Sequence, residues 1–198
     1  MSIARESLPF ALPLAAATVL AGWLSHPALA VIPFLLLLFT LWFFRDPERS
    51  VPEGPRILVS PADGRIIRTG PDRISIFMNV FNVHVCRSPM AGQVGDVTHV
   101  DGRFLAAFKD EASEHNERTT IELAGDGRSL RFTLIAGLIA RRIVSKVREG
   151  QQLSAGQRVG LIRFGSRVDV EVPPGGEVTV ELGQRVVAGE TVIVRLRN

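Results

Sequence analysis

The stretch Phe164-Gly-Ser-Arg167 has the residue types that a chain needs to cut itself. It separates two strand-like runs, Val159–Phe164 and Val168–Val172. Attack of the Ser166 hydroxyl on the carbonyl of Gly165 would move the acyl group from nitrogen to oxygen, and glycine permits the backbone geometry that this attack requires. Elimination of the ester would then leave Ser166 as a pyruvoyl group at a new N-terminus. Because Gly-Ser pairs are also common in turns, the surrounding residues must decide between cleavage and an ordinary turn.

A serine hydroxyl becomes a good nucleophile only beside a base. His84 is a candidate, since an unperturbed imidazole pKa of about 6.5 suits a group that takes up a proton and returns it. Asp63, followed by Gly64, is a candidate to orient the imidazole, as in a serine-protease triad. Each also has a structural interpretation, because Asp-Gly is a common turn and His84 lies in an alternating, strand-like run.

The remaining histidines and the single cysteine are predicted to have no catalytic role. His26 falls at a proline-containing break in an apolar segment, and His99 and His115 lie in polar surroundings. Cys86 is predicted to be a small core residue, and one cysteine cannot form an internal disulfide. No two of these side chains have the spacing of zinc ligands, so the sequence predicts no metal site.

The elements that must carry these residues begin with an apolar N-terminal segment. Two uncharged legs of 17 residues, Leu8–Leu24 and Ala28–Phe44, flank Ser25-His-Pro27, and about 17–25 residues suffice to span a bilayer. Arginines lie on both sides, so the positive-inside rule places both ends on the cytoplasmic side. We expect residues 1–45 to form a membrane-associated helical hairpin, spanning or re-entrant. A cleaved signal peptide fits less well, because its small-residue site would lie inside the apolar run.

Residues 46–198 are predicted to form a mainly β catalytic domain, because short apolar runs alternate with Gly, Pro and Asp. The segment Leu138–Val147 stays open between helix and strand, since it is rich in β-branched residues. The predicted strands are Ile74–Val80, Ser129–Ile135, Arg158–Phe164, Arg167–Val172, Glu177–Leu182 and Thr191–Leu196.

Two internal repeats refine the fold prediction. Gly150–Val159 matches Gly183–Val192 without gaps, and Ser60–Ile66 matches Ser88–Val94. The shared Gly-Gln turn followed by Ala-Gly resembles the turns of barrel-sandwich hybrid domains, the fold of biotinyl and lipoyl carriers. Such carriers hold a lysine at a hairpin tip, and neither repeat has one. The repeats therefore predict the fold but not the carrier function.

Four motifs in this order resemble the phosphatidylserine decarboxylases, in particular the short archaeal-type branch that also occurs in bacteria. The resemblance extends from about Phe43 to Leu196, and it includes Asn116-Glu-Arg118 and Ile135–Arg142 as further family-like stretches. The four motifs are Phe44-Arg-Asp-Pro-Glu-Arg49, Ser60-Pro-Ala-Asp-Gly64, Asn82-Val-His-Val-Cys-Arg-Ser-Pro89 and Phe164-Gly-Ser-Arg167.

The resemblance implies a proenzyme that cuts itself between Gly165 and Ser166. A β chain of residues 1–165 would remain with an α chain of residues 166–198, whose first residue becomes the covalent pyruvoyl cofactor. By motif position, Asp63 and His84 carry over as the partners of Ser166. The longer members of the family have Leu-Gly-Ser-Thr at the cut and a second histidine, where this chain has Arg167 and Arg87.

The resemblance also implies the reaction. The pyruvoyl carbonyl would form a Schiff base with the serine amine of phosphatidylserine, lose the carboxylate as CO2 and release phosphatidylethanolamine. His84 is a candidate proton donor, and Arg141 and Arg142 are candidates for binding the substrate, although paired arginines are often simply solvated. A lipid substrate explains an enzyme at the cell membrane, where the loop Val80–Asn82 is a candidate to contact the bilayer. A homo-oligomer stays open.

Three other function classes are compatible with parts of the sequence. A membrane-anchored adaptor of a secretion pump would need coiled-coil heptads, which are absent here, and a carrier domain would need the missing lysine. A pyruvoyl decarboxylase of a soluble amino acid would not need the apolar N-terminus. Nucleic acid is not an expected partner, because no basic run is interleaved with aromatic residues.

Overall fold

The computed structural model describes residues 2–24, 27–54, 56–109, 111–125, 127–138, 142–163 and 165–196. The chain divides into two compact units, Met1–Glu48 and Arg49–Asn198, which we call the helix unit and the β unit.

The helices are α1 (Leu8–Trp23), α2 (Pro27–Phe43) and α3 (Ala112–His115), with a 3-10 turn at Arg5–Ser7. The strands are β1 (Ser2–Ile3), β2 (Arg45–Asp46), β3 (Ile57–Val59), β4 (Gly64–Thr69), β5 (Arg73–Met78), β6 (Val85–Arg87), β7 (Gly92–Val100), β8 (Arg118–Gly125), β9 (Arg128–Ile135), β10 (Ile143–Ser145), β11 (Gln152–Leu153), β12 (Arg158–Ile162), β13 (Ser166–Glu171), β14 (Gly176–Val178), β15 (Arg185–Val186) and β16 (Val192–Leu196).

The helix unit is a hairpin whose two ends meet. Strand β1 pairs antiparallel with β2, and the ring of Phe10 near the start of α1 stacks on that of Phe44 just after α2, with centroids 5.9 Å apart. Thr18 and Thr40 donate their hydroxyls to carbonyls one turn earlier, so neither hydroxyl needs water. One helix, Arg5–Trp23, is long and apolar enough to cross a membrane, and Ala28–Phe43 is a shorter apolar helix.

The β unit confirms the prediction of a mainly β, barrel-sandwich-hybrid-like fold. Its largest sheet has eight strands in the order β11-β7-β8-β9-β13-β5-β4-β15, and two three-stranded sheets have the orders β10-β12-β6 and β14-β16-β3. All of these strand pairs are antiparallel. The core is aliphatic, and Phe132 is its one fully buried aromatic ring within the described part of the β unit.

The two sequence repeats build two matching halves of this fold. One half contains residues 57–66 and 183–196, and we call it the Asp63 half. The other contains residues 85–94 and 150–162, and we call it the Ser166 half because it leads into the predicted cut. The halves exchange equivalent bonds: Val59 N donates to Pro89 O, and Arg87 N donates to Pro61 O, both at 2.8 Å.

The turns of the two halves also match. Gly189 N donates to Ser60 O, and Gly156 N donates to Ser88 O, both at 2.8 Å. Gly156 and Gly189 have φ values of 72° and 76°, a conformation that glycine adopts without the cost a side chain would add. This explains why the Ala-Gly step occurs in both repeats.

One predicted strand differs in the structure from its expected form, and one segment that the sequence left open is shown to contain a strand. The strand expected at Glu177–Leu182 is only Gly176–Val178, because Glu181 N donates to the side chain of Gln184 and forms a turn instead of a ladder. In the ambiguous segment Leu138–Val147, the described part contains strand β10, whose β-branched Ile143 and Val144 pair with β12.

Candidate active site

The peptide bond before Ser166 lies where three segments of the β unit meet. Gly165 has a φ of 60°, in the left-handed region that strains any other residue. Gly137 packs closely against Gly165. A Cβ added to Gly137 would overlap the carbonyl oxygen of Gly165 and lie 3.2 Å from Ala107 Cβ. The backbone of Gly137 therefore lies directly against the carbonyl of Gly165.

Ser166 is the first residue of β13 and is fully buried. Its backbone pairs with Met78 at the end of β5. Its Oγ makes no hydrogen bond within the part of the chain that the structure describes. A buried hydroxyl without a partner costs about 1–3 kcal/mol, so such a group in a native structure calls for an explanation.

Arg167 fixes the chain immediately after Ser166. It is completely buried, its Nε donates to Asp169 Oδ1 at 2.6 Å, and its two terminal nitrogens donate to Ser75 Oγ at 2.8 Å and Lys109 O at 3.2 Å. Breaking such a buried pair by removing one partner costs several kcal/mol, because it leaves an uncompensated charge. The strand that carries Ser166 is thus tied to β5 and to the segment before α3.

His84 lies beside the strand that leads to the predicted cut. It is buried, and its backbone carbonyl accepts a hydrogen bond of 3.3 Å from Ile162 N, four residues before Ser166. Its Nδ1 is 3.0 Å from the carbonyl oxygen of Asn82. Since a carbonyl can only accept, we assign the ring proton to Nδ1, which leaves Nε2 with a lone pair.

Asp63 has its bonds on the side of the Asp63 half. Both of its carboxylate oxygens are 2.9 Å from Arg49 Nη2, and Oδ1 also accepts from Ala188 N at 2.8 Å. The ion pair is mostly buried, with about a tenth of each side chain exposed. The hydrogen bond at His84 Nδ1 is supplied by Asn82, and the proposed orienting role of Asp63 stays a prediction.

Arg142 is exposed, and its carbonyl accepts a hydrogen bond of 3.3 Å from Arg163 N, two residues before Gly165. Its neighbour in the prediction, Arg141, lies outside the described residues, as do Phe164 and His26. No group of three or more His, Cys, Asp or Glu residues is placed to hold a metal ion among the residues described.

Comparison with known proteins decides the family. The model of the phosphatidylserine decarboxylase family matches residues 36–194. The chain belongs to this family. It is 48% identical over 199 residues to the phosphatidylserine decarboxylase proenzyme of Solibacter usitatus (strain Ellin6076). The alignment covers 98% of this chain and 97% of the relative.

Two further relatives have the same name, phosphatidylserine decarboxylase proenzyme. The Syntrophus aciditrophicus (strain SB) protein is 47% identical over 202 residues, with 96% of this chain and 95% of the relative covered. The Symbiobacterium thermophilum protein is 48% identical over 206 residues, with 98% and 95% covered. The resemblance inferred from four short motifs is therefore confirmed, and the chain is an enzyme of a decarboxylase family.

The two departures from the longer family members have structural explanations. Arg167 is held by the buried network described above. Arg87, at the position of the second histidine, donates from Nη1 to Gly156 O at 3.0 Å, and its Cδ lies close to Gly189. Arg87 thus bonds to one repeat turn and packs against the other.

Sequence reasoning missed two residues that shape the site. Gly137 was seen only as part of a family-like stretch, although it is the residue that lets the Gly165 carbonyl approach. Asn116 is buried. Its side chain accepts a hydrogen bond from Leu105 N and donates to Leu105 O and to Ala136 O, the last at 2.7 Å. The polar Asn-Glu-Arg motif was the available signal, but only the fold reveals that Asn116 joins the segment of Leu105 to Ala136, the residue before Gly137.

Proposed function

We propose that this protein decarboxylates phosphatidylserine to phosphatidylethanolamine with a pyruvoyl group that it makes by cutting itself between Gly165 and Ser166. The observation that carries the proposal is the buried Ser166 hydroxyl, which has no partner among the described residues and follows a glycine of positive φ. The assignment of phosphatidylserine as the substrate is supported by the family and by the names of the relatives.

In the first step, Ser166 Oγ attacks the carbonyl carbon of Gly165 and the C–N bond breaks, which gives an ester and a free amine. Loss of the Cα proton of Ser166 then breaks its Cβ–Oγ bond, and Gly165 leaves with a carboxylate that contains the serine oxygen. The remaining enamine takes up one water and releases ammonia. The products are residues 1–165 and a pyruvoyl-capped residue 166 followed by residues 167–198.

His84 is the proposed base for the attack. Because Asn82 O holds the proton on Nδ1, Nε2 is the nitrogen able to accept the serine proton. His84 is buried, which limits the access of bulk water to its ring. Asp63 is proposed to support the reaction through Arg49 and Ala188, which fix the turn of the Asp63 half.

The residues around the cut fit a pyruvoyl group formed in place. Arg167 and the pairing of β13 with β5 hold the new chain start where Ser166 stood, so cleavage need not release it. When formed, the group supplies an electrophilic carbonyl that accepts the substrate amine and takes up the electron pair left by CO2. The exposed side chain of Arg142 is proposed to attract the anionic headgroup, and His84 to return a proton to the substrate carbon.

We also propose a location at the cell membrane with the β unit on the cytoplasmic side. The support comes from the helix hairpin, whose ends meet at β1 and β2, and from the arginines that flank it.

The test is decarboxylation by the purified protein of phosphatidylserine labelled in the serine carboxyl group. We expect release of labelled CO2 and loss of activity after treatment with phenylhydrazine, which reacts with ketone carbonyls. A protein that releases CO2 with undiminished rate after this treatment would contradict the pyruvoyl mechanism, and one that releases none would contradict the substrate.

A further inference from the structure

We propose that the rim of the candidate active site is itself a docking surface for an anionic bilayer, in addition to the helix unit. The inference rests on the proposed function and adds the way in which the substrate is reached. The rim consists of three exposed apolar side chains, Phe81, Phe108 and Leu138, which lie on three different connections of the β unit.

Phe81 is presented on a rigid turn next to the cut. The turn follows Met78, the residue that pairs with Ser166. Asn79 N donates to Asn82 Oδ1, and Phe81 N donates to Asn79 Oδ1, both at 2.9 Å. Phe81 is nevertheless 68% exposed.

Phe108 projects from the segment that Arg167 and Asn116 hold against the cut. It is 59% exposed, and its ring meets that of Phe77 edge to face with centroids 6.0 Å apart. Its neighbour Ala107 is buried against Gly137.

Leu138 directly follows Gly137 and is 60% exposed. Because Gly137 contacts the carbonyl of Gly165, Leu138 lies one residue away from a contact with the predicted cleavage site. The only other exposed large hydrophobic residue in the described part of the β unit, Leu182, lies on the turn before β15 at the edge of the sheet. Three of the four exposed large hydrophobic residues in the described part of this unit therefore lie on segments next to the predicted cut, and the fourth lies near Arg65 and Arg185.

Cations accompany these residues. Phe81 borders a cavity of about 310 Å³ whose other lining residues are Gly64, Arg65, Asn79, Asn82 and Arg185, with no acidic side chain among them. Exposed Arg142 lies beside Arg163 on the chain that leads to the cut. Apolar tips among cations are the pattern of a surface that inserts shallowly into a bilayer with anionic headgroups, and this is the occupant we assign.

The arrangement solves a problem of access. A diacyl lipid leaves the bilayer only at a large free-energy cost, because its chains would be exposed to water. If Phe81, Phe108 and Leu138 enter the headgroup region, the serine headgroup needs to move only a short distance to reach residue 166.

The test compares two substrates with the full-length, reconstituted enzyme. One is long-chain phosphatidylserine in phosphatidylcholine vesicles, and the other is dihexanoyl-phosphatidylserine below its micellar concentration. We expect Phe81→Ser, Phe108→Ser and Leu138→Ser each to lower kcat/KM on vesicles by roughly tenfold, and to leave kcat/KM on the short-chain lipid within about twofold. Phe81→Leu and Phe108→Leu are the matched controls, which keep an apolar tip and should retain the vesicle activity.

Arg65→Gln and Arg185→Gln test the charge component. They should weaken activity on vesicles at low salt and reduce its salt dependence, because each removes a cation that attracts the anionic surface. Vesicles with added phosphatidylglycerol should restore part of the loss if the general surface charge is what is recognised.

Three results would overturn the docking surface. They are unchanged vesicle activity in the serine variants, an equal fall on both substrates, and an equal loss in the leucine controls. Failure of the proposed function is distinguishable, since the wild-type enzyme would then act on neither substrate.

Discussion

The Asp63 half and the Ser166 half share a scaffold but not a chemistry. Equivalent backbone bonds place Ser60 and Gly189 in one half as they place Ser88 and Gly156 in the other. His84 directly precedes the Ser166 half, and the equivalent position before the Asp63 half is Arg56, which is exposed. At the position of Asp63 the Ser166 half has Ala91. The shared contacts therefore explain the fold, whereas His84 and Asp63, two residues of the candidate site, have no chemical equivalent in the other repeat.

The largest effect is expected from the first of these differences. His84→Gln should slow self-cleavage by about 10²-fold or more, because the amide cannot accept the proton from Ser166. The appearance of two chains over time, followed by gel electrophoresis after expression in a cell-free system, measures the rate. The matched control is Arg56→Gln at the repeat position equivalent to His84, and this variant should cleave at the wild-type rate. Normal cleavage by His84→Gln would remove His84 as the base.

The next prediction concerns Gly137, which contacts the Gly165 carbonyl that Ser166 is proposed to attack. Gly137→Ala should slow cleavage by roughly 10–100-fold, since the new methyl group displaces the Gly165 carbonyl from its position. The same time course measures it. Gly95→Ala is the control, because its Cβ would meet Glu122 at an ordinary 3.7 Å. Equal rates in the two variants would contradict the close approach.

Substitutions of Asp63 distinguish a structural role of this residue from a role in the reaction. Asp63→Ala removes the bonds to Arg49 and Ala188, and we expect a loss of about 1–3 kcal/mol in the free energy of unfolding. Urea unfolding of the uncut Ser166→Ala protein, with and without Asp63→Ala, measures it. Asp63→Asn keeps an acceptor for Ala188 N and should lose less. Unchanged stability together with blocked cleavage would place the carboxylate in the reaction instead.

The smallest effect is expected at Cys86, in the strand of the Ser166 half. Burial raises the pKa of this thiol well above its ordinary value, and the nearby Asp63 carboxylate raises it further. The folded protein keeps the proton when the unfolded chain has lost it. The Cys86 contribution to stability is therefore complete below the unfolded pKa of 9.0 and declines as the pH rises above it.

Two measurements check this prediction. Cys86 in the native enzyme should not react with Ellman's reagent at neutral pH, and Cys86→Ala should flatten the fall in stability above about pH 9. Rapid labelling of the native thiol would contradict its burial.

Local sequence signals are sufficient to find the two repeats and to name the candidate residues in the motifs, whose roles stay predictions. Gly165, Ser166 and His84 lie in short patterns whose chemistry can be read from neighbouring residues, and the alternating strands follow from periodicity. The partners of Arg167 could not be predicted, because Ser75 and Lys109 are distant in sequence and meet it only after β13 pairs with β5. The same holds for the contact between Gly137 and Gly165, which depends on how two strand ends align.

The most direct test of the central claim is the intact mass of the purified protein and of its Ser166→Ala variant. If the protein cuts itself, the wild type consists of two chains, one ending at Gly165 and one beginning at residue 166. The smaller chain should be lighter by one ammonia than its sequence with a serine terminus. The variant should remain a single chain. An active wild-type protein that consists of one uncut chain would contradict the account.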